Sequence, residues 1–218
     1  MMQVRLVPVT PFQQNCAIVR CDKTGHGAVV DPGGDMELIL RAVEEENVQV
    51  EKILLTHGHL DHAGAAGALA AHLGLQIIGP QAQDQFWLDG MAKQAETYGI
   101  TGPQPCTPNQ YLSQGDTVQV GEITLQVLHC PGHTPGHVAF FDPESRTALV
   151  GDLLFCGSIG RADFPKSDYG DLIRSIQNNL LPLGDDVTFH CGHGPSGTFG
   201  HERKTNPFLL TPERYGAL

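Results

Sequence analysis

The chain has 218 residues, of which 40% are hydrophobic, and it carries a formal net charge of −11. A chain of this length and composition can bury a substantial core, so we expect a single domain over residues 1–218. The acidic balance argues against a nucleic-acid-binding protein, because phosphate contacts need a basic surface. The sequence contains no run of about 18 apolar residues, and a membrane span is therefore not expected.

The N-terminus and the cysteines favour a cytoplasmic location. The first residues, MMQVRLVP, lack the pattern of a signal peptide. The six cysteines lack C-x-x-C spacing and sit mostly in apolar surroundings. We therefore predict reduced, buried thiols in a cytoplasmic protein.

Apolar strands and amphipathic helices follow one another along the chain. In the first half, we predict strands and helices, in chain order, over 3–9, 16–21, 27–31 (strands), 35–46 (helix), 52–56 (strand), 63–73 (helix), 76–79 (strand) and 81–98 (helix). Asp35 is predicted to cap the first helix. Residues 99–116 have turn residues and no clear period, which predicts a loop that crosses between the two halves of the molecule.

The second half of the chain repeats this order, with several strands before a helix. We predict strands over 117–120, 123–130, 137–142, 147–150 and 187–190. Helices are predicted over 169–180 and 201–210, the second interrupted by Pro207. Each half therefore indicates strands followed by strand–helix units.

Residues 56–62 (THGHLDH) directly follow an apolar strand and contain four potential metal ligands, His57, His59, Asp61 and His62. Imidazole and carboxylate groups together suit a borderline or hard divalent ion such as zinc, iron or manganese. On a helix, His57 and Asp61 would share one face and His59 would lie elsewhere, so the four could not surround one ion. We therefore predict a loop that turns these side chains in different directions. The alternative interpretation is a polar surface turn.

Three further candidates, His133, Asp152 and His193, have the same setting, since each follows an apolar strand and adjoins glycine. Pro131 and Pro135 exclude a helix around the first of them, which is therefore predicted to lie in a loop. The neighbouring histidines, His129, His137 and His190, are predicted to be packed imidazoles rather than ligands.

Seven ligands are too many for one tetrahedral ion. The set fits two divalent ions with one bridging carboxylate, Asp152, and leaves room for a bridging water. Zinc is the expected metal, and iron or manganese would also suit imidazole and carboxylate ligands.

The motifs THGHLDH (56–62), PGHTPGH (131–137), GD (151–152) and GHG (192–194) resemble those of the metallo-β-lactamase superfamily. Asp31-Pro32-Gly33 also resembles a turn near the site in that family. The loop GRADF (160–164) and the ending GHERKTNPF (200–208) resemble its glyoxalase II-like branch, specifically the short single-domain bacterial proteins of the YcbL type.

This resemblance implies a four-layer αββα sandwich with the metal ions at one edge of the sheets. It implies one ion held by His57, His59 and His133, and a second held by Asp61, His62 and His193. The implied reaction is hydrolysis of a hydroxyacylglutathione thioester such as S-D-lactoylglutathione. The proposed nucleophile is a bridging hydroxide, which the carboxylates of Asp61 and Asp152 hold in place. Asp31 and His137 are predicted to orient the ligands.

The sequence departs from the family pattern in one respect, since it ends too soon for the C-terminal helical domain that helps the glyoxalase II enzymes hold glutathione. The candidate binders of a substrate carboxylate are Arg161, Arg203 and Lys204, and the alternative for each is an exposed solvating charge. The expected partner is a small-molecule thioester, and the expected state is a monomer or a small homo-oligomer.

Other functions share these motifs. A mononuclear iron persulfide dioxygenase has much of the same ligand set, and a lactonase of the same superfamily is a third possibility. A non-catalytic metal-binding protein is the alternative from a different class, and the complete ligand set argues against it.

Overall fold

The first sheet holds the N-terminal strands in their sequence order. A computed structural model describes residues 1–215. This sheet contains β1 (Met2–Val9), β2 (Gln14–Cys21), β3 (His26–Val30), β4 (Gln49–Leu54) and β5 (Gln76–Ile78). The first three strands are antiparallel, whereas β3, β4 and β5 are parallel. Parallel neighbours need crossover connections, and the chain supplies helices at these places.

The second sheet has the order β13-β12-β9-β8-β7-β6. Its strands are β6 (Thr117–Val120), β7 (Ile123–His129), β8 (Val138–Asp142), β9 (Thr147–Gly151), β12 (Thr188–Cys191) and β13 (Gly197–Thr198). Strands β9 and β12 are parallel and adjacent, so their carboxyl ends meet at one edge. A two-stranded ribbon, β10 (Leu154–Phe155) with β11 (Ser158–Ile159), follows β9.

Eight α-helices accompany the sheets in the described chain. They are α1 (Met36–Glu45), α2 (Leu60–Ala63), α3 (Ala66–Leu73), α4 (Gln85–Asp89), α5 (Met91–Tyr98), α6 (Tyr169–Ser175), α7 (Phe199–Thr205) and α8 (Pro207–Leu210). A π-helical stretch, Ile176–Leu180, continues α6, and a 3-10 turn, Ala82–Asp84, precedes α4. These helices are all too short or too polar to span a bilayer.

The apolar side chains form three clusters, which define the layers. One lies between the two sheets and includes Val19, Leu54 and Phe140. The second joins the outer face of the first sheet to α1 and α3 through residues such as Ile39 and Leu69. The third joins the second sheet to α6 and α7. Helix, sheet, sheet and helix therefore stack in that order, and the predicted αββα sandwich is confirmed.

The strands lie close to where the sequence predicts them, and most differences concern short elements. The stretch 57–62 is not a loop throughout, because Leu60–Ala63 forms the short helix α2. Asp35 precedes α1 but makes no side-chain cap there, since its carboxylate accepts a hydrogen bond from the backbone of Thr10 at 2.7 Å. All six cysteines are free thiols, and Cys156 is exposed rather than buried as predicted.

The predicted crossing loop is present over residues 100–116. It runs beside β5, where the backbone N–H of Asn109 donates to the carbonyl of Ile77 at 2.8 Å, and then leads into β6 in the other sheet. The predicted helix over 81–98 is broken into a 3-10 turn, α4 and α5, with the last break at Gly90.

Candidate metal centre

The polar residues that follow the strand ends meet at one edge of the sandwich. Residues 55–62 follow β4, residues 130–137 join β7 to β8, and Asp152 and His193 follow β9 and β12. Because neighbouring strands bring their ends together, these segments are close in space although far apart in sequence. The structure thereby gathers all seven predicted ligand side chains, His57, His59, Asp61, His62, His133, Asp152 and His193.

Three histidines form the first group, which we call the three-histidine set: His57, His59 and His133. The Nε2 atom of His57 lies 3.1 Å from Nδ1 of His59, and the Nε2 atom of His133 lies 3.0 Å from the same nitrogen. All three side chains are almost fully buried. Three ring nitrogens thus face one small volume.

The tautomers of two of these rings follow from their outer partners. His133 Nδ1 lies 2.7 Å from the carbonyl oxygen of Arg161, which can only accept, so this nitrogen carries the proton. His57 Nδ1 lies 3.0 Å from the hydroxyl oxygen of Thr56, whose own proton goes to a carboxylate. Both Nε2 atoms therefore present lone pairs toward His59, which can offer at most one proton. Lone pairs that converge in this way suit a cation.

A second group, which we call the acidic set, consists of Asp61, His62 and His193. The Nε2 atom of His193 lies 3.2 Å from Oδ2 of Asp61, and that of His62 lies 3.9 Å from the same oxygen. The opposite nitrogen of His193, Nδ1, lies 3.2 Å from the carbonyl oxygen of Phe12, which can only accept, so Nδ1 carries a proton and Nε2 is the nitrogen that faces the carboxylate of Asp61.

Asp152 lies between the two sets. Its Oδ2 atom is 3.7 Å from Nε2 of His133 in one set and 3.5 Å from Nε2 of His193 in the other. Its Oδ1 atom is 3.3 Å from Nε2 of His62. Oδ1 and the Nε2 atom of His62 are both buried and lack a hydrogen-bond partner among the described residues. Buried polar atoms without partners are costly, and a bound divalent ion would satisfy them.

The pKa values of these groups follow the same division. Burial lowers the pKa of His57 and His59 well below the usual value, which favours neutral rings. Burial also acts to lower the pKa of His62, but the charges of Asp152 and Asp61 outweigh it and raise this pKa well above the usual value. Burial acts to raise the pKa of Asp152, and the charge of His62 reverses this, so its carboxylate stays ionised. The centre therefore attracts positive charge around Asp152.

Asp31 and His137 touch the candidate ligands from outside, as the sequence suggests. The carboxylate of Asp31 accepts hydrogen bonds from the N–H and the hydroxyl of Thr56 at 2.7 and 2.6 Å, and its Oδ2 lies 2.9 Å from Nδ1 of His62. The Nε2 atom of His137 accepts a 3.1 Å hydrogen bond from the backbone N–H of Asp152. These contacts can fix the direction of the ligand side chains.

The remaining histidines of the motifs lie outside both sets. His129 faces the carbonyl oxygen of Pro135 at 2.9 Å, and His190 faces the hydroxyl of Ser196 at 2.6 Å. His129 and His190 therefore stabilise the loops that carry His133 and His193 to the centre.

A cavity of about 380 Å³ opens directly onto the centre. Its floor includes His59, Asp61, His133, Asp152 and His193. Its walls are largely aromatic, with Phe12, Trp87, Tyr98, Phe155 and Phe164. A small organic molecule can therefore place a polar group at the centre and an apolar part against the walls.

Arg161, one of the three candidate cations, lines this cavity. Its guanidinium group forms a two-point ion pair with Asp163 at 2.9 and 2.7 Å and lies 4.4 Å from the centre of the Phe164 ring. Both members of the ion pair are mostly exposed, so this pairing contributes little and can be exchanged for another carboxylate.

The other two candidate cations are not brought to the cavity. Arg203 donates to the carboxylate of Asp185 at 2.8 Å and to the carbonyl oxygen of Leu181 at 2.6 Å. Lys204 is exposed on the same helix, α7, and neither residue lines the cavity. Because α7 packs on the outer face of the second sheet, these charges lie with the surface rather than with the centre.

One part of the centre has no counterpart among the predicted site residues. Asp84, Trp87 and Gln94 come from the segment predicted only as a helix, and all three contact the stretch between His57 and Leu60. The sequence gives little sign of this, because the segment lies more than twenty residues further along the chain.

Comparison with known proteins identifies the family of this chain. The model of the metallo-β-lactamase superfamily matches residues 9–193. The hydroxyacylglutathione hydrolase GloC of Haemophilus influenzae is 42% identical over 209 residues, which cover 95% of this chain and 98% of that protein. The chain therefore belongs to the metallo-β-lactamase superfamily.

Two solved structures are similar over nearly the whole chain. The structure of TTHA1623 in a di-iron-bound form has a TM-score of 0.86 at 39% identity and covers 94% of this chain and 100% of that one. The structure of BLEG-1, a B3 metallo-beta-lactamase, has a TM-score of 0.87 at 32% identity, with coverage of 96% and 99%. The predictions of the fold, of the superfamily and of a metal-dependent hydrolase are confirmed.

Proposed function

We propose that the protein hydrolyses hydroxyacylglutathione thioesters, with S-D-lactoylglutathione as the substrate to test first. The observation that carries this proposal is the convergence of seven candidate ligand side chains at one edge of the sandwich, five of which line the floor of one cavity. The similarity to GloC, a hydroxyacylglutathione hydrolase, supports the choice of substrate.

The same proposal assigns two divalent ions to the centre. The three-histidine set would hold one and the acidic set the other, with Asp152 bridging them. The mixture of imidazoles and carboxylates fits zinc, and it also fits iron or manganese. The di-iron-bound form of TTHA1623 supports keeping iron as an alternative. Asp31 and His137 would orient ligands from outside.

The chain's own groups suit attack on a thioester. Divalent ions at this position would lower the pKa of bound water toward about 7 and so supply hydroxide at neutral pH. The carboxylates of Asp61 and Asp152 lie at the cavity floor, where they can accept a hydrogen bond from the attacking water and orient it. The leaving thiol has an ordinary pKa near 8.5, so it can depart as the thiolate without a general acid.

The cavity walls explain how such a substrate could be held. The rings of Trp87 and Phe164 both meet the His59 ring edge-on, with centroid separations of 4.5 and 4.9 Å, and would shield the reacting carbonyl from bulk water. Arg161 stands at the wall with an exposed, exchangeable partner, and it can bind a carboxylate of the glutathione part. We further propose a cytoplasmic enzyme that works as a monomer or a small homo-oligomer.

The test combines metal analysis with a panel of substrates. Purified protein is assayed for metal content per chain, and turnover is then measured on S-D-lactoylglutathione. The expected result is about two metal equivalents and a rate typical of enzymes, with kcat/KM above about 10⁴ M⁻¹ s⁻¹. A metal-loaded protein without thioesterase activity would refute the proposal.

The same panel separates the competing activities. Oxygen uptake with glutathione persulfide identifies a persulfide dioxygenase, and opening of an acyl-homoserine lactone identifies a lactonase. A β-lactam belongs in the panel because BLEG-1 is a B3 metallo-beta-lactamase. An amide-type leaving group needs protonation, so we expect β-lactam turnover to be slower than thioester turnover.

A further inference from the structure

Asp84 connects the two loops that carry the three-histidine set. Its side chain is completely buried at the end of the 3-10 turn Ala82–Asp84. One carboxylate oxygen accepts hydrogen bonds from the N–H of Gly58 at 2.9 Å and from the hydroxyl of Thr134 at 2.7 Å. The other oxygen accepts from the N–H of Gly136 at 2.6 Å. One side chain therefore binds the residue between His57 and His59 and also the residue after His133.

These partners favour an ionised carboxylate. The N–H groups of Gly58 and Gly136 can only donate and lie against different oxygens, so both oxygens of Asp84 must accept. Burial raises the pKa of Asp84 to about 6, while the hydrogen bonds from Thr134, Gly136 and Gly58 act to lower it, and the group is ionised at neutral pH. An asparagine would place an amide N–H₂ against a donor and leave that donor unpaired.

The glycines at the two contacts permit this close approach. A Cβ atom on Gly136 would lie 2.7 Å from Oδ1 of Asp84 and 2.5 Å from the carbonyl oxygen of Gln81. A Cβ atom on Gly58 would lie 2.7 Å from Cβ of Trp87. The backbone at both positions is therefore in direct contact with the segment that carries Asp84.

We propose that Asp84 is a positioning residue of the metal centre, which fixes the separation of the two loops and hence of the ring nitrogens of His59 and His133. The inference rests on the proposed metal site. Among the described residues Asp84 makes no hydrogen bond to a candidate ligand and does not line the cavity, so it acts through the N–H groups of Gly58 and Gly136 and the hydroxyl of Thr134.

The continuation of the same segment supports this role. The Trp87 ring meets the His59 ring edge-on, with centroids 4.5 Å apart. The Gln94 side chain accepts a 3.1 Å hydrogen bond from the N–H of Leu60 and donates to the carbonyl oxygen of Trp87 at 2.8 Å. The backbone N–H groups on both sides of His59, those of Gly58 and Leu60, are thus bound by Asp84 and Gln94. The His59 ring itself packs against Trp87, a third side chain of the same segment.

The experiment compares Asp84→Asn with a matched variant, Asp142→Asn. Asp142 is also buried, and its carboxylate accepts two backbone hydrogen bonds, from Glu144 and Ser145, both at 3.2 Å. It lies at the far end of β8, in the turn that leads to β9. Each variant is purified, freed of metal and titrated with Co²⁺ against a chelator, and the visible absorption spectrum and the melting temperature are recorded.

We expect Asp84→Asn to bind the first equivalent of Co²⁺ about 10- to 100-fold more weakly and to show an altered cobalt spectrum at saturation. Asp142→Asn should lower the melting temperature but keep the wild-type spectrum and affinity. Should Asp84→Asn keep both, or Asp142→Asn lose both equally, the proposal is overturned.

A second variant covers the case in which Asp84→Asn does not fold. Thr134→Val removes one donor and nearly preserves the volume of the side chain, and it should weaken Co²⁺ binding in the same direction by a smaller factor. Wild-type cobalt binding by this variant would count against the proposal. Because cobalt binding is measured without substrate, a failed thioester assay would leave this test unaffected and would contradict only the proposed function.

Discussion

Oδ2 of Asp31 lies 2.9 Å from Nδ1 of His62, and this contact directs the Nε2 atom of the same ring toward Asp152. Asp31 has a φ of 54°, in the left-handed region that aspartate and asparagine tolerate better than most residues. The turn after β3 therefore adopts an unusual backbone conformation, and this conformation places the carboxylate of Asp31 against His62. The same carboxylate also accepts from Thr56, so one residue orients parts of both ligand sets.

We expect Asp31→Asn to reduce metal affinity and kcat by about 10- to 100-fold, because the amide cannot accept from all of the present donors. The control is Asp35→Asn. Asp35 also has a left-handed backbone, with a φ of 48°, and its carboxylate accepts from the N–H of Thr10 rather than from a histidine. Metal content by mass spectrometry and turnover should stay at the wild-type level in the control. Equal losses in both variants would mean that the Asp31 contact with His62 is unimportant.

Removal of the metal should abolish turnover and lower stability. The buried Nε2 atom of His62 and Oδ1 atom of Asp152 lie 3.3 Å apart without a hydrogen bond of good geometry, so a cation can satisfy both of them in the native state only. At a free metal concentration about 1,000-fold above Kd, binding stabilises a protein by about 4 kcal/mol. We therefore expect a chelator to lower the melting temperature, and zinc, iron or manganese to restore it together with activity. A melting temperature that does not respond to chelator would contradict the metal assignment.

Five of the seven candidate ligands could be predicted because each adjoins a glycine just after an apolar strand, and Asp61 and His62 follow in the same motif as His57 and His59. Strand ends that share an edge of the sheets bring such residues together. His133 reaches the centre because β7 ends at this edge and the following loop carries the residue. Local structure was less predictable within 57–62. The polar residues of this stretch give no helical pattern, although Leu60–Ala63 forms a helical turn that tertiary packing stabilises.

Asp84 could not be predicted as part of the centre because its partners are remote in sequence. Gly58, Thr134 and Gly136 are 26, 50 and 52 residues away. The surrounding residues, QAQDQ, are polar and are predicted only as the start of the helix over 81–98. Arg203 shows the opposite failure, since a motif indicates that a residue is present but does not establish which surface it faces.

Replacement of Asp152 tests the proposed bridge. Asp152→Ala removes both oxygens that lie between His133 and His193, and we expect undetectable turnover and a loss of at least one metal equivalent per chain. The control is Asp142→Asn, which changes a buried carboxylate at the end of β8 that lies away from the centre. Full turnover by Asp152→Ala would refute the bridging role.

Arg161 is expected to act on substrate binding rather than on the chemical step. We expect Arg161→Ala to raise KM for S-D-lactoylglutathione about tenfold, in keeping with the loss of one charged hydrogen bond, with kcat changed much less. Arg203→Ala is the control, because Arg203 is held by Asp185 away from the cavity. A substrate that lacks the glutathione carboxylates should show no difference between wild type and Arg161→Ala. An unchanged KM for the glutathione thioester would remove Arg161 from the binding site.

Gly33 and Gly34 offer a paired test of how closely the turn after β3 approaches the centre. A Cβ atom on Gly33 would lie 1.4 Å from the carbonyl oxygen of Asp61, so the backbone of α2 would have to move. A Cβ atom on Gly34 would meet only a side-chain methyl of Thr10, at 2.8 Å, and that side chain can rotate. We expect Gly33→Ala to cost about 3 kcal/mol of stability, or roughly 10 °C in Tm, and to lose metal at the acidic set. Gly34→Ala should melt near the wild type and keep its metal. If Gly33→Ala keeps both its Tm and its metal content, the backbone contact with Asp61 does not hold α2 in place.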